Sequence, residues 1–63
     1  MNAFQEILTA SLNEKKGILL FIPGQSIAGV VTSIRQDGVV ELRSREYSRI
    51  LVRLDQVAAV TMS

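Results

Sequence analysis

The hydrophobic pattern of this chain changes period at Gly17, and that change limits the folds open to it. Before it, Phe4, Ile7, Leu8 and Leu12 recur at the spacing of one helical face, while Gln5, Glu6, Thr9 and Glu14 lie mostly off that face. Asn2 offers an N-cap with Gln5 three residues on, in the capping-box position. Lys15 and Lys16 suit the negative end of the helix dipole, and Gly17 is a natural C′ residue. These signals predict a helix over about 3–15. After Gly17 the apolar residues run without a break from Ile18 to Ile22, between Gly17 and Pro23-Gly24. A short run so bounded reads as a strand buried on both faces.

Turn chemistry divides the rest. Pro23-Gly24 suits the centre of a type II turn, proline setting φ and glycine accepting a positive φ. A β-branched strand follows over about 25–35, interrupted by Gly29, which marks a bulge, a bend or a close backbone approach. Asp37-Gly38 signals a hairpin. A third strand then sets Val40 and Leu42 against Glu41, Arg43 and Arg45. Past a polar connection, a fourth sets Ile50, Val52 and Leu54 against Arg49, Leu51 and Arg53. Asp55-Gln56 breaks the chain, and Val57 to Met62 reads as a fifth strand. The expected fold is mainly β with one N-terminal helix: a strongly bent, five-stranded antiparallel barrel of the small SH3-like kind, with strands over about 18–62.

With 63 residues the chain makes one domain, 1–63, and a core this small leaves stability marginal. Disulfides, metals and oligomerisation are the usual supports. Cysteine and histidine are both absent, so disulfides, thiolate zinc sites and imidazole ligands are excluded, and oligomerisation is the support left. The acids are scattered rather than set at ligand spacing, so neither a metal nor another cofactor is expected. Catalysis finds no foothold for the same reasons, and no glycine-rich phosphate loop precedes the helix. No apolar stretch approaches the roughly 20 residues that span a bilayer. The N-terminal residues do not read as a secretory signal, so the expected location is cytoplasmic.

The stretch from Phe21 to Leu42 resembles the first motif of the Sm-like family. Gly24 falls on the loop glycine, Gly29 on the strand glycine five residues later and Ile34 on the hydrophobic position, followed by the Val39–Leu42 run. Leu51 to Val60 resembles the second motif, with Arg53 on its arginine and Val57 on the apolar position after the turn. The short connection between the third and fourth strands is most similar to the bacterial Hfq branch. Gln36 matches the glutamine that follows Hfq's aspartate, while the aspartate itself is replaced by Arg35. Val39 stands where the Sm branch has a base-contacting asparagine, and Leu54 where the second motif has a glycine. Hfq's tyrosine-lysine-histidine signature aligns with Arg53, Leu54 and Asp55. The scaffold positions match better than the nucleotide-reading ones.

The resemblance implies a closed homo-oligomeric ring that binds single-stranded RNA, six subunits being favoured and five or seven open. Its subunit contact would join the fourth strand of one copy to the fifth of the next, with Leu51, Val57, Ala59 and Val60 at the interface. Gln36, Arg53, Arg35 and Tyr47 are the candidate RNA contacts, and Gly24, Gly29, Asp37 and Gly38 the structural motif. The arginines from Arg35 to Arg53 form the only basic cluster, yet charges over Arg35 to Asp55 sum to five minus four, or +1. A solvated, self-paired strand face is therefore the competing reading. Two alternatives stay open: a protein-interaction or assembly module that has lost RNA readout, and a small barrel associated with DNA.

Overall fold

The computed structural model describes residues 2–63. Helix α1 spans Ala3–Glu14 and is followed by strands β1 (Gly17–Ile22), β2 (Gln25–Ile34), β3 (Val39–Arg43), β4 (Ile50–Arg53) and β5 (Ala59–Met62), with a 3-10 turn at Leu54–Gln56. The strands form one antiparallel sheet in the order β4-β3-β2-β1-β5. The mainly β fold with an N-terminal helix agrees with the sequence pattern. The sheet, however, does not close: β4 and β5 are its two edges and do not pair with each other. Among the described residues no helix is long and apolar enough to cross a membrane.

The helix begins where its cap predicts. Asn2 has extended backbone and its side-chain oxygen accepts a hydrogen bond from the Gln5 amide at 2.8 Å. It ends differently from expectation: the left-handed residue is Lys15 (φ 58°, ψ 40°), and Gly17 already opens β1. A helix can close on a lysine here because Ser11 secures the end. Its hydroxyl donates to the Lys16 carbonyl at 2.6 Å and accepts from the Val31 amide at 3.1 Å. Ser11 is fully buried, and its bond to Val31 lies just past the last β1–β2 pair, Gly17 with Val30. The helix hydroxyl thus takes over a ladder position that β1 is too short to fill.

Leu8, Ile18, Leu20, Val31, Val40, Leu42 and Val52 form the core. Ile7 and Leu12 pack against it, while Phe4 is 40% exposed. Strand β1 is buried on one face only, contrary to the sequence expectation. Ile18 and Leu20 point inward, whereas Leu19 is half-buried and Phe21 is 38% exposed. The helix packs on β1, β2 and β5, and the inward residues of β3 and β4, Val40, Leu42 and Val52, join the same core. Leu54 belongs to the 3-10 turn and not to β4, and β5 starts at Ala59 instead of Val57.

Gly29 supplies the bend. A Cβ built there would lie 2.8 Å from the Arg43 carbonyl oxygen, at the end of β3, where Arg43 pairs with Val30. Only glycine leaves room for that approach. Gly24 and Gly38 have φ of 84° and 85°, as their turns require. The second hairpin is a three-residue loop closed by the Arg35 amide on the Val39 carbonyl, with the Asp37 carboxylate accepting from the Val39 amide.

Candidate assembly edges and nucleic-acid contact

Two turns meet at one end of the sheet. The Leu54 amide donates to the Gly38 carbonyl at 2.8 Å, and Val39 sits opposite Arg53 in the β3–β4 ladder. This joins the 36–38 loop, which carries Gln36, to the 53–56 turn, which carries Arg53. Both side chains belong to exposed residues. Tyr47 lies at the other end of β3 and β4, in the connection between them, 62% exposed. The structure joins the loop that carries Gln36 to the turn that carries Arg53 and leaves Tyr47 apart from both.

Most of the cationic face is matched by acid. Glu41 on β3 accepts from Arg35 Nη2 and Arg49 Nε, each at 3.0 Å, and from the Thr32 hydroxyl at 3.1 Å. The hydrogen bond from Arg35, then that from Arg49, holds the Glu41 carboxyl below its ordinary pKa. Arg53 reaches Asp55 at 3.3 Å, with both side chains mostly in water. Arg35 and Arg53 are therefore already paired, and among the described residues Arg43 and Arg45 have no carboxylate within 4.0 Å. Contacts between exposed ions are weak and exchangeable, so pairing lowers the field of this face without removing its donors.

The two edges carry different side chains. On β4, Leu51 is 55% exposed between Arg49 and Arg53. On β5, Ala59 and Thr61 point outward, and no residue of the strand is charged. Beside β5, Phe4 and Ile7 of the helix line a hollow of about 280 Å³ with Ala58, Ala59 and Val60. Of the four residues expected at a subunit contact, Leu51 and Ala59 are exposed, while Val57 and Val60 turn towards the core and pack against it. Phe4 and Phe21 are exposed near β5 in addition. A mixed helical face and a continuous apolar strand do not by themselves reveal which members stay outside. Compared with protein-family models, curated proteins and solved structures, the chain matches none.

Proposed function

We propose that this chain is a non-catalytic assembly module that joins edge to edge into a closed homo-oligomeric ring of Sm-like type and contacts single-stranded RNA at the paired turns carrying Gln36 and Arg53. The observation that carries the reading is the pair of open, unlike edges, β4 and β5. Unpaired strand edges seek partners, and among the described residues neither edge strand has a proline or a bulge. Their difference favours a head-to-tail contact. Antiparallel pairing of β4 with a second β4, centred on Leu51, would set Arg49 against Arg53 of the mate, and like charges opposite each other are unfavourable. Pairing β4 with β5 opposes no like charges and buries Leu51 against small, uncharged residues. A head-to-tail contact repeated through one rotation closes a ring or runs on as a filament.

Native mass spectrometry at micromolar concentration tests the assembly. The expected result is a single closed oligomer, and a stable 6.9 kDa monomer would sink the reading. Salt-dependent binding of U-rich and A-rich RNA oligomers, with duplex DNA as the control, tests the nucleic-acid half. Replacing Arg53 by alanine should weaken RNA binding by about 1–3 kcal/mol and flatten its salt dependence by about one phosphate contact.

The pairing of Arg35 with Glu41 and Arg53 with Asp55 favours a second reading, a ring that binds protein and not RNA. An intact oligomer that binds no RNA at low salt would select it.

A further inference from the structure

Strand β2 has a free edge of its own inside the sheet. Its pairing with β1 runs from Gln25 to Val30, but its pairing with β3 begins only at Val30, opposite Arg43. From Gln25 to Gly29, β2 therefore has a neighbour on one side only. The direction of its backbone groups follows from the ladder. The Phe21 carbonyl accepts from the Ala58 amide beside β5, so Phe21 turns its backbone groups towards β5. Successive strand residues turn to opposite edges, so Leu20 and Ile22 face β2 and meet Ile27 and Gln25. Ser26 and Ala28 must then direct their N–H and C=O groups away from β1. That makes four backbone groups, and β3 ends before it can reach them.

These groups open onto a groove of about 710 Å³. Residues 25 to 28 all line it. Side chains alternate between faces, so four consecutive lining residues mean that the backbone edge itself forms one wall. The opposite wall is the β3–β4 connection, with Arg45, Glu46, Tyr47 and Arg49. That wall is preformed: the Ser44 amide donates to the Tyr47 carbonyl at 2.9 Å, and the Tyr47 amide donates to the Ser44 hydroxyl at 3.1 Å. No backbone hydrogen bond crosses from this connection to residues 25–29 among the described residues.

We propose that this groove binds an extended peptide segment of a partner protein, which adds to β2 as a short antiparallel strand beside Ser26–Ala28 and places an acidic side chain against Arg45. Free peptide groups at fixed strand spacing recognise another peptide backbone. Arg45 and Arg49 against Glu46 leave this wall one positive charge, two minus one. Among the described residues Arg45 has no carboxylate within 4.0 Å and supplies the charge complement, and Tyr47 supplies an exposed ring. The floor is uncharged, with Leu19, Ser26 and Ala28, which suits a segment carrying one acid better than a polyanion. The site lies away from β5 and meets the β4 end only at Arg49 and Ile50, without Leu51.

The test uses a blocked, fluorescent hexapeptide of alternating valine and threonine with one central glutamate, added to the full chain. Binding should appear as fluorescence anisotropy, and replacing the glutamate by glutamine should weaken it about tenfold, the scale of one charge-assisted hydrogen bond. The R45Q variant should lose that preference for glutamate. A peptide N-methylated at alternate residues on the pairing edge should not bind. Ala28→Pro removes an N–H that faces the groove and leaves the β1 ladder intact, so it should abolish binding with the circular dichroism unchanged. Hydrogen exchange on the unmodified protein gives a readout free of mutation. The Ser26 and Ala28 amides should exchange fast in the free chain and slow with peptide, while the Ile27 amide is protected in both. No binding at millimolar peptide, equal binding by A28P, or protection of Ser26 and Ala28 by an adenosine hexamer but not by the peptide would each overturn the proposal.

Discussion

The two halves of the outward sheet face are built from different chemistry. Across β5, β1 and β2 the outward residues are Ala59, Thr61, Leu19, Phe21, Ser26 and Ala28, with no charge among them. Across β3 and β4 they are Val39, Glu41, Arg43, Leu51 and Arg53, joined by Arg35 and Arg49 at the margins. The inward face behind both halves is the same apolar core, so folding alone does not demand the contrast. The charged half settles its own electrostatics, through Glu41 with Arg35 and Arg49 and through Arg53 with Asp55. The uncharged half has no such internal partners and leaves Phe21 against water. Each half ends in one open edge, so the edges inherit the contrast, and a contact between copies is most favourable where unlike edges meet.

The joint between the halves is Gly29, where the end of β3 lies close against the β2 backbone, and breaking it should have the largest effect. Gly29→Ala places a Cβ against backbone at 2.8 Å, which no side-chain rotation relieves. The expected loss is about 3 kcal/mol, near the top of the overpacking range, read as a fall in the urea midpoint. Gly17→Ala is the control, since its Cβ would find its nearest neighbour at 3.9 Å. It should leave the midpoint unchanged or raise it slightly.

Next in size is Ser11→Ala. It strips the Val31 amide of its only acceptor outside the ladder and leaves the Lys16 carbonyl without its donor. An unsatisfied buried group of this kind costs about 2 kcal/mol. Thermal unfolding by circular dichroism measures it, and an unchanged melting temperature would show that water replaces the hydroxyl.

These two residues also divide what the sequence reveals from what it hides. Gly29 was legible, because a lone glycine in a β-branched strand has few explanations and all of them are local. The Asn2 cap and the glycine turns at Gly24 and Gly38 were legible for the same reason: each signal lies within four residues of its effect. Ser11 was not. A serine in an amphipathic helix reads as part of the wet face, and its partner Val31 lies twenty positions away. The exposure of Phe21 was hidden because a continuous apolar strand carries no mark of which face is covered. Among the candidate RNA contacts, the joining of the Gln36 loop to the Arg53 turn rests on a hydrogen bond from Leu54 to Gly38, which no local signal marks. The pairing of Arg35 with Glu41 depends on strand register, which sequence alone does not supply.

The edges offer a smaller, more specific perturbation of the fold. Leu51→Glu on β4 and Ala59→Glu on β5 each change a residue that the core does not use. Each should cost the isolated subunit at most about 0.5 kcal/mol, as exposed substitutions do. Each should nonetheless shift native mass spectra from oligomer to monomer if β4 pairs with β5 of the next copy. Val60→Lys is a poorer probe, because Val60 packs against the core and its loss unfolds the chain as well. Loss of the oligomer with Ala59→Glu but not with Leu51→Glu would point to a contact between uncharged halves and refute the head-to-tail scheme.

The smallest effect concerns the charged half alone. Glu41 has its pKa lowered by the hydrogen bonds from Arg35 and Arg49, so the folded state holds the proton less tightly than the unfolded chain does. The sign follows from linkage: the stabilisation is fully present above the unfolded-state pKa and is lost as pH falls through the lower, folded one. Unfolding midpoints of the parent and of E41Q should therefore differ most near neutral pH and converge in acid, below the ordinary glutamate range. The Arg35 and Arg49 side chains are 43% and 60% exposed, so solvent screening keeps the difference small, and added salt should shrink it further. The same substitution releases Arg35 and Arg49 from their shared acid and raises the net charge of this face by one. If the face touches RNA, E41Q should bind more tightly at low salt even as it becomes slightly less stable. A variant that loses stability at neutral pH and gains no affinity would place these arginines in the service of the fold alone.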